Sequence, residues 1–332
     1  MSQYKIGVIT VWLGEFPDTF ELWVKSVEYN PDVNFIFITD QDYESKIGNL
    51  KIVKMTLEEI KQLAIEKLGM NIVLPRAYKL CDFKPVYGVI FDEYIKGYDY
   101  WGCCDIDLIF GNITHFTELY ELKKYDKFLD EGHFALYRNT DECNNYYKKC
   151  GSYYNYDEVF TSENNFVFDE RNRINNIYLF NGYPLFQGTI YANINPAFER
   201  FQCCRLKNYK HQVFYWEKGT VYRAFLKGNK VFKEEFCYIH LLKRKLPKPN
   251  DAIINSTAFY ITDKGYYLKA VEGCPDLSQI KKFSFYRGLA SETKMRVRNY
   301  YKHNWSISGI KRRLTTYMFK YKWGRKLLHK NF

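Results

Sequence analysis

The chain has 332 residues, 46% of them hydrophobic and 19% aromatic, with 31 Tyr and 26 Phe. That is enough for a large core, and it excludes a disordered chain. No run of about 20 apolar residues occurs, which excludes an α-helical membrane span. The net charge of +11 is local: residues 293–332 hold twelve Lys or Arg and no acidic side chain, leaving 37 basic against 38 acidic residues elsewhere. The body is therefore near neutral with a basic end, which argues against a nucleic-acid-binding protein.

Residues 4–11 (YKIGVITV) read as a buried strand. The apolar stretch 6–14 resembles a signal-peptide core, but no small-residue cleavage site follows it and a charged helical pattern begins at once. That pattern, over 17–29, sets Phe20, Trp23, Val24 and Val27 on one face. Residues 33–39 (VNFIFIT) form a second strand ending at Asp40, and 51–55 a third. Thr56-Leu-Glu-Glu59 is a capping box opening a helix that closes near Gly69. Alternation of this kind predicts an α/β fold, a doubly wound and mainly parallel sheet with helices on both faces. Neither GxGxxG nor GxxxxGK[ST] occurs, which weighs against dinucleotide oxidoreductases and P-loop enzymes. Nine cysteines without CxxC spacing read as reduced thiols of a cytoplasmic protein.

Residues 76–95 (RAYKLCDFKPVYGVIFDEYI) predict a helix beginning near Pro85, with Val86, Val89, Ile90 and Tyr94 inward. Arg76, Lys79, Asp82 and Lys84 cluster ahead of it. The next segment, YDYWGCCDIDLIFG, is apolar except for Asp105 and Asp107. Carboxylates at i and i+2 on a strand share a face. Buried among apolar residues they need a cation or hydrogen bonds, and Mg²⁺ or Mn²⁺ suits hard oxygen ligands. The spacing recurs at Asp40 and Asp42, but there it opens the polar stretch DQDYESK, the composition of a solvated turn. In an open α/β sheet ligands gather beyond the strand ends, so Thr10, Asp40, Asp105 and Asp107 are expected around one crevice. Residues 112–240 are less regular, and LPKPND (246–251) marks a break. We expect a nucleotide-sugar half over 1–111, an acceptor-facing half over 112–250, a linker and packing extension over 251–292, and a basic amphipathic helical tail over 293–332.

The block KLCDFKPVYGVIFDEYIKGYDYWGCCDIDLIFG (79–111) resembles bacterial glycosyltransferases of the GT-A fold that build capsule, lipopolysaccharide or exopolysaccharide. GHFALYRN (132–139), YDEVF (156–160) and YIHLLKRK (238–245) follow in the order expected of them. The resemblance spans residues 4–250. It implies a nucleotide-sugar donor, a UDP-sugar, with Mn²⁺ or Mg²⁺ held by Asp105, Asp107 and a late ligand, His240. It further implies that Asp40 binds the nucleoside, that Asp82 and Lys84 meet the donor sugar or phosphate, and that Lys243 and Lys245 meet the diphosphate. The family often follows the late His with Gly and Lys-Pro-Trp; here the sequence is HLLKRKLPKP.

Such a transfer needs charge neutralised on the leaving nucleoside diphosphate, and an inverting enzyme also needs a carboxylate to deprotonate the acceptor. Asp157 and Glu158, in an aromatic setting, are the expected bases. His133 and Arg138 are expected to line the acceptor site, with Arg76, Lys79 and Thr10 on the donor side. The tail predicts peripheral attachment to an anionic membrane, on the inner face of the cell membrane, with a glycan or lipid-linked acceptor; a simple solvated helical end is the alternative. Two other readings compete with the transferase: a sugar-phosphate nucleotidyltransferase, and a non-catalytic carbohydrate-binding or scaffold protein with a degenerate site.

Overall fold

The structure, a computed structural model, describes residues 4–286 apart from 243, together with 288, 294 and 297. The basic tail thus lies, but for two positions, outside the described residues. Strands β1 (Ile6–Trp12), β2 (Val33–Thr39), β3 (Leu50–Lys54) and β4 (Tyr100–Cys104) run parallel, and β5 (Leu108–Phe110) follows β4 after a three-residue bend. With β6 (Lys127–Glu131), β7 (Phe134–Arg138) and β8 (Leu185–Phe186) the main sheet has the order β3-β2-β1-β4-β7-β6-β8. Of its seven strands only β7 runs against the rest. This is the mainly parallel α/β architecture expected from the alternation, and the one that the resemblance to GT-A enzymes implies.

Near-continuous apolar sequence in β1 and β2 follows from burial on both faces. Helix α1 (Phe20–Glu28) packs Phe20, Trp23 and Val27 against Phe35 and Phe37 on one face. Helix α2 (Leu57–Leu68) sets Ile60 and Ala64 against the other face, near Ile36 and Ile38. Its Thr56–Glu59 capping box and left-handed Gly69 are both present as expected.

The helix predicted from Pro85 takes another form. Residues Ala77–Val86 make a 3-10 helix, followed by a four-residue α-helix at Tyr87–Ile90 and a further 3-10 turn at Asp92–Tyr94. A 3-10 turn eclipses positions i and i+3, which stacks Lys79 on Asp82 and lets both be buried. The 3.6-residue pattern did not anticipate those polar contacts.

The remaining strands are β9 (Ala192–Asn193), β10 (Gln212–Glu217), β11 (Thr220–Lys227), β12 (Lys230–Phe236), β13 (Tyr238–His240), β14 (Ala258–Thr262) and β15 (Gly265–Leu268). Five form an antiparallel sheet, β12-β11-β10-β14-β15, and a small sheet β5-β13-β9 joins it to the main body. The break expected at residue 250 therefore falls inside one sheet. The Pro-rich segment is a connection whose Leu246 packs into the core beneath β10 and β14.

Asn30, at the end of α1, ties that helix to the segment after β5. Its amide nitrogen donates to the Ser26 and Gly111 carbonyls (2.9 and 2.8 Å) and its oxygen accepts from the Ile113 N–H (2.9 Å). Each buried group left unpaired costs roughly 1–3 kcal/mol. Asn30→Ala is therefore expected to lower unfolding free energy by roughly 2 kcal/mol or more, measurable by urea denaturation.

Candidate functional site

The main sheet delivers Asp105 and Asp107 to one edge, though not on a strand. β4 ends at Cys104, and the two carboxylates sit on the bend before β5, with Ile106 buried between them. The Asp105 N–H donates to the His133 carbonyl (2.9 Å), which fixes the bend against the turn before β7. β13 then pairs antiparallel with β5, His240 opposite Leu108, and the Leu241 N–H donates to the Asp107 carbonyl (3.0 Å). That register brings a ligand atom from each of Asp105, Asp107 and His240 within 4.8 Å of one another. His240 Nε2 lies 3.4 Å from Asp107 Oδ1. Two carboxylates and an imidazole are a fitting donor set for a divalent ion.

The triad opens on a cavity of about 570 Å³, walled by Val11, Trp12 and Leu13 at the end of β1, by Tyr78 and Lys84, and by His133, Asp169 and Glu170. Lys84 is buried, its ammonium donating to Asp105 Oδ1 (2.6 Å) and the Gly132 carbonyl (2.9 Å), with Asp169 Oδ2 at 3.3 Å. Burial pulls its pKa down, but the two carboxylates outweigh that and hold it well above the usual lysine value. Asp169 shares this single lysine with Asp105, so burial dominates and pushes its carboxyl up to about 6. Glu170 is pushed up to about 7 by burial and by Asp169 beside it. Gly132 is required for this approach, since a Cβ there would overlap the Asp169 carboxylate.

His133 is buried against the triad, its ring 4.2 Å from that of His240. Its Nδ1 is 3.0 Å from the Tyr238 hydroxyl, and its Nε2 has no protein partner among the described residues. Burial, with His240 and Lys84 nearby, lowers its pKa well below the usual value, so the ring is neutral at pH 7.

Other residues expected at the site lie outside the cavity wall. Lys79 and Asp82 are fully buried and bonded to each other (2.8 Å), with Lys79 also donating to the Val159 and Asn164 carbonyls. Asp82 accepts from the Phe166 and Phe168 N–H groups (3.0 and 2.9 Å) and so holds the backbone that leads into Asp169. Arg76 bonds Asn165 and the Glu163 carbonyl. Thr10 is buried against Cys104 Sγ (2.9 Å). Asp40 accepts from the Gly14 N–H (2.8 Å) and from Gln41, and those bonds lower its pKa. None of these five lines the cavity.

Asp157 and Glu158 are exposed in the first turn of the helix Tyr156–Phe160, where negative charge favours the helix dipole, and they too are outside the cavity wall. Arg138 pairs across from Tyr100, at the far end of β4 from the Asp105 bend, and is bound to Asp126 (2.9 Å). Lys243 lies outside the described residues. Lys245 is exposed and Arg244 lines the cavity instead, its guanidinium spanning the Asn195, Phe198 and Glu199 carbonyls.

Asp169 and Glu170 were missed in the sequence. Their setting (NNFVFDE) has the aromatic and acidic character that singled out Asp157 and Glu158, so composition could not rank the two pairs. Asn193, 3.1 Å from His240 Nδ1 through its side-chain oxygen, had no local signal at all.

The chain belongs to a family of unknown function (DUF6625), whose model matches residues 8–270. Among curated proteins, none matches it. Solved structures give partial likenesses. One is a galactosyltransferase, LgtC, in complex with donor and acceptor sugar analogues: 14% identity over 57% of this chain and 76% of that one, TM-score 0.34. Mouse xyloside xylosyltransferase 1 shows 7% identity over 58% and 88%, TM-score 0.35. The glycosyltransferase GlyE of Streptococcus pneumoniae shows 14% identity over 41% and 34%, TM-score 0.26. The fold described above stands on this chain's own strand order.

Because Asp169 and Glu170 titrate above the ordinary carboxyl range, the folded chain binds more protons than the unfolded chain between about pH 4 and pH 7. Their contribution to stability thus falls as pH rises through that window. Glu170→Gln removes one such cost. It is expected to raise the melting temperature relative to wild type at pH 8, with the gain shrinking toward pH 5, as read by calorimetry at both pH values.

Proposed function

We propose that this member of the DUF6625 family is a glycosyltransferase that moves a sugar from a nucleotide donor, a UDP-sugar, to a hydroxyl of a glycan or lipid-linked acceptor in surface-polysaccharide synthesis. One observation carries the reading: Asp105, Asp107 and His240 converge at the mouth of a cavity whose walls are largely apolar. A divalent ion bound there would neutralise the charge that develops on the leaving diphosphate. Mn²⁺ suits the site better than Mg²⁺, because one of the three ligands is an imidazole nitrogen.

The chain's own residues supply the rest. Lys84 holds Asp105 in place and offsets the charge of Asp169. Trp12 and Tyr78 offer flat faces to a base or a sugar ring. His133, neutral and with a free Nε2, can make a hydrogen bond to a bound hydroxyl without adding charge. In an inverting transfer Glu170 would take the proton from the acceptor hydroxyl; it lines the cavity and titrates near neutrality, as a general base should. That role falls to it in preference to the exposed Asp157 and Glu158. The basic stretch after His240, with Lys243 and Lys245, remains the proposed partner of the diphosphate.

Thermal-shift screening of UDP-sugars with and without Mn²⁺ tests the reading. Ligand at a hundred times its dissociation constant stabilises the native state by about 2.7 kcal/mol. A donor that raises the melting temperature of wild type only with Mn²⁺, and not that of Asp107→Ala, is the expected result. Equal shifts in both proteins would remove Asp107 from the site, and no shift across a broad donor panel would end the transferase reading.

A further inference from the structure

We infer that Asn193 is the positioning residue of the metal centre, fixing the His240 imidazole in the form that presents Nε2 to the ion. The inference rests on the metal site proposed above and adds to it a residue outside the triad. The pairing of strands creates the contact. β9 lies parallel to β13 with Asn193 in register with His240, and side chains at paired positions of neighbouring strands lie on one face of a sheet. Backbone bonds hold that register from both sides: the Ile194 N–H donates to the His240 carbonyl (3.0 Å) and the Cys204 N–H to the Asn193 carbonyl (2.8 Å).

Within this frame Asn193 Oδ1 is 3.1 Å from His240 Nδ1. An amide oxygen only accepts hydrogen bonds, so Nδ1 must carry the proton. In a neutral imidazole the other nitrogen then has the lone pair. That nitrogen, Nε2, is the one 3.4 Å from Asp107 Oδ1. The ring is 4% exposed and His133 packs on it, so it has little freedom to turn over. Asn193 therefore selects both the tautomer and the ring orientation that a metal needs, the work that outer-shell partners do for ligating histidines.

Two measurements on the full chain test this. In the metal-free protein, long-range ¹⁵N–¹H correlation spectra should show His240 as the Nδ1–H tautomer, becoming a mixture in Asn193→Ala. Titration with Mn²⁺ alone, followed by the loss of the free-ion electron paramagnetic resonance signal, should show affinity falling about 10- to 100-fold in Asn193→Ala. Asn193→Asp, which keeps the accepting oxygen, should restore it. A merely structural role would lower the melting temperature of the metal-free variant without altering the tautomer, and Asp would not rescue binding. An Nε2–H tautomer in wild type, or undiminished Mn²⁺ affinity in Asn193→Ala, overturns the inference. If wild type binds no Mn²⁺ the metal reading fails, while the tautomer spectrum still decides what Asn193 does.

Discussion

Four carboxylates, Asp105, Asp107, Asp169 and Glu170, are drawn to one cavity, and their mutual repulsion governs what surrounds them. Bringing like charges out of water is costly unless a cation accompanies them. The fold supplies one from within: Lys84, buried and shared between Asp105 and Asp169. Arg244 also lines the cavity, so two cationic side chains face the four acids. Burial above all, with neighbouring carboxylates adding to it, raises the pKa of Asp169 and Glu170. Asp105 and Asp107 lie beside the His240 imidazole, one ligand atom of each within 4.8 Å of the others.

Behind this cluster sits a layer of polar residues that shape it without touching the cavity. Asp82, neutralised by Lys79, binds the N–H groups on both sides of Val167. Val167 is held there at a φ of 52°, in the left-handed region that a β-branched residue seldom adopts. The strained turn faces Val167 to the cavity and aims the next acid, Asp169, at Lys84. Leu242, on the opposite wall, has a φ of 43°. Strain of this kind persists where the surroundings over-determine it, and it collects at functional sites. The buried Lys79–Asp82 pair therefore braces the backbone that leads into the cavity wall.

What was legible in the sequence follows from range. The strands 6–12 and 33–39, helix α1 and the capped helix α2 are written in local periodicity and in caps a few residues apart, and each formed where expected. Asp105 and Asp107 stood out because charge inside apolar sequence is costly, although they sit on a bend rather than a strand. His240 was reachable through the order of motifs, not through any local signal. Asp169, Glu170 and Asn193 depend on contacts that cross 60 or more residues of chain, or on strand register, and neither is encoded nearby. The same limit misplaced Asp82 and Lys79: a polar cluster ahead of a helix looks alike whether it faces a ligand or a neighbouring loop. Arg138 lies away from His133 for a simpler reason, since the eight-residue motif spans the whole of β7 and its two ends lie at opposite ends of that strand.

The antiparallel sheet gives the site its remaining dependence. Asp105 and Asp107 sit on the bend between β4 of the main sheet and β5 of the small one, whereas His240 arrives on β13, which continues directly from β12 of the five-stranded sheet. β13 then crosses to pair with β5, and Trp216 of β10 donates to the Phe110 carbonyl (3.1 Å) to lock the same junction. No one sheet holds the three ligands. They meet only when the two sheets are docked through β5, β13 and β9, so an ion that binds all three must favour the docked state by its own binding energy. Metal affinity and the packing of the second sheet are then two readings of one equilibrium. The five-stranded sheet thus bears on the geometry of the three side chains although none of its strands lines the cavity.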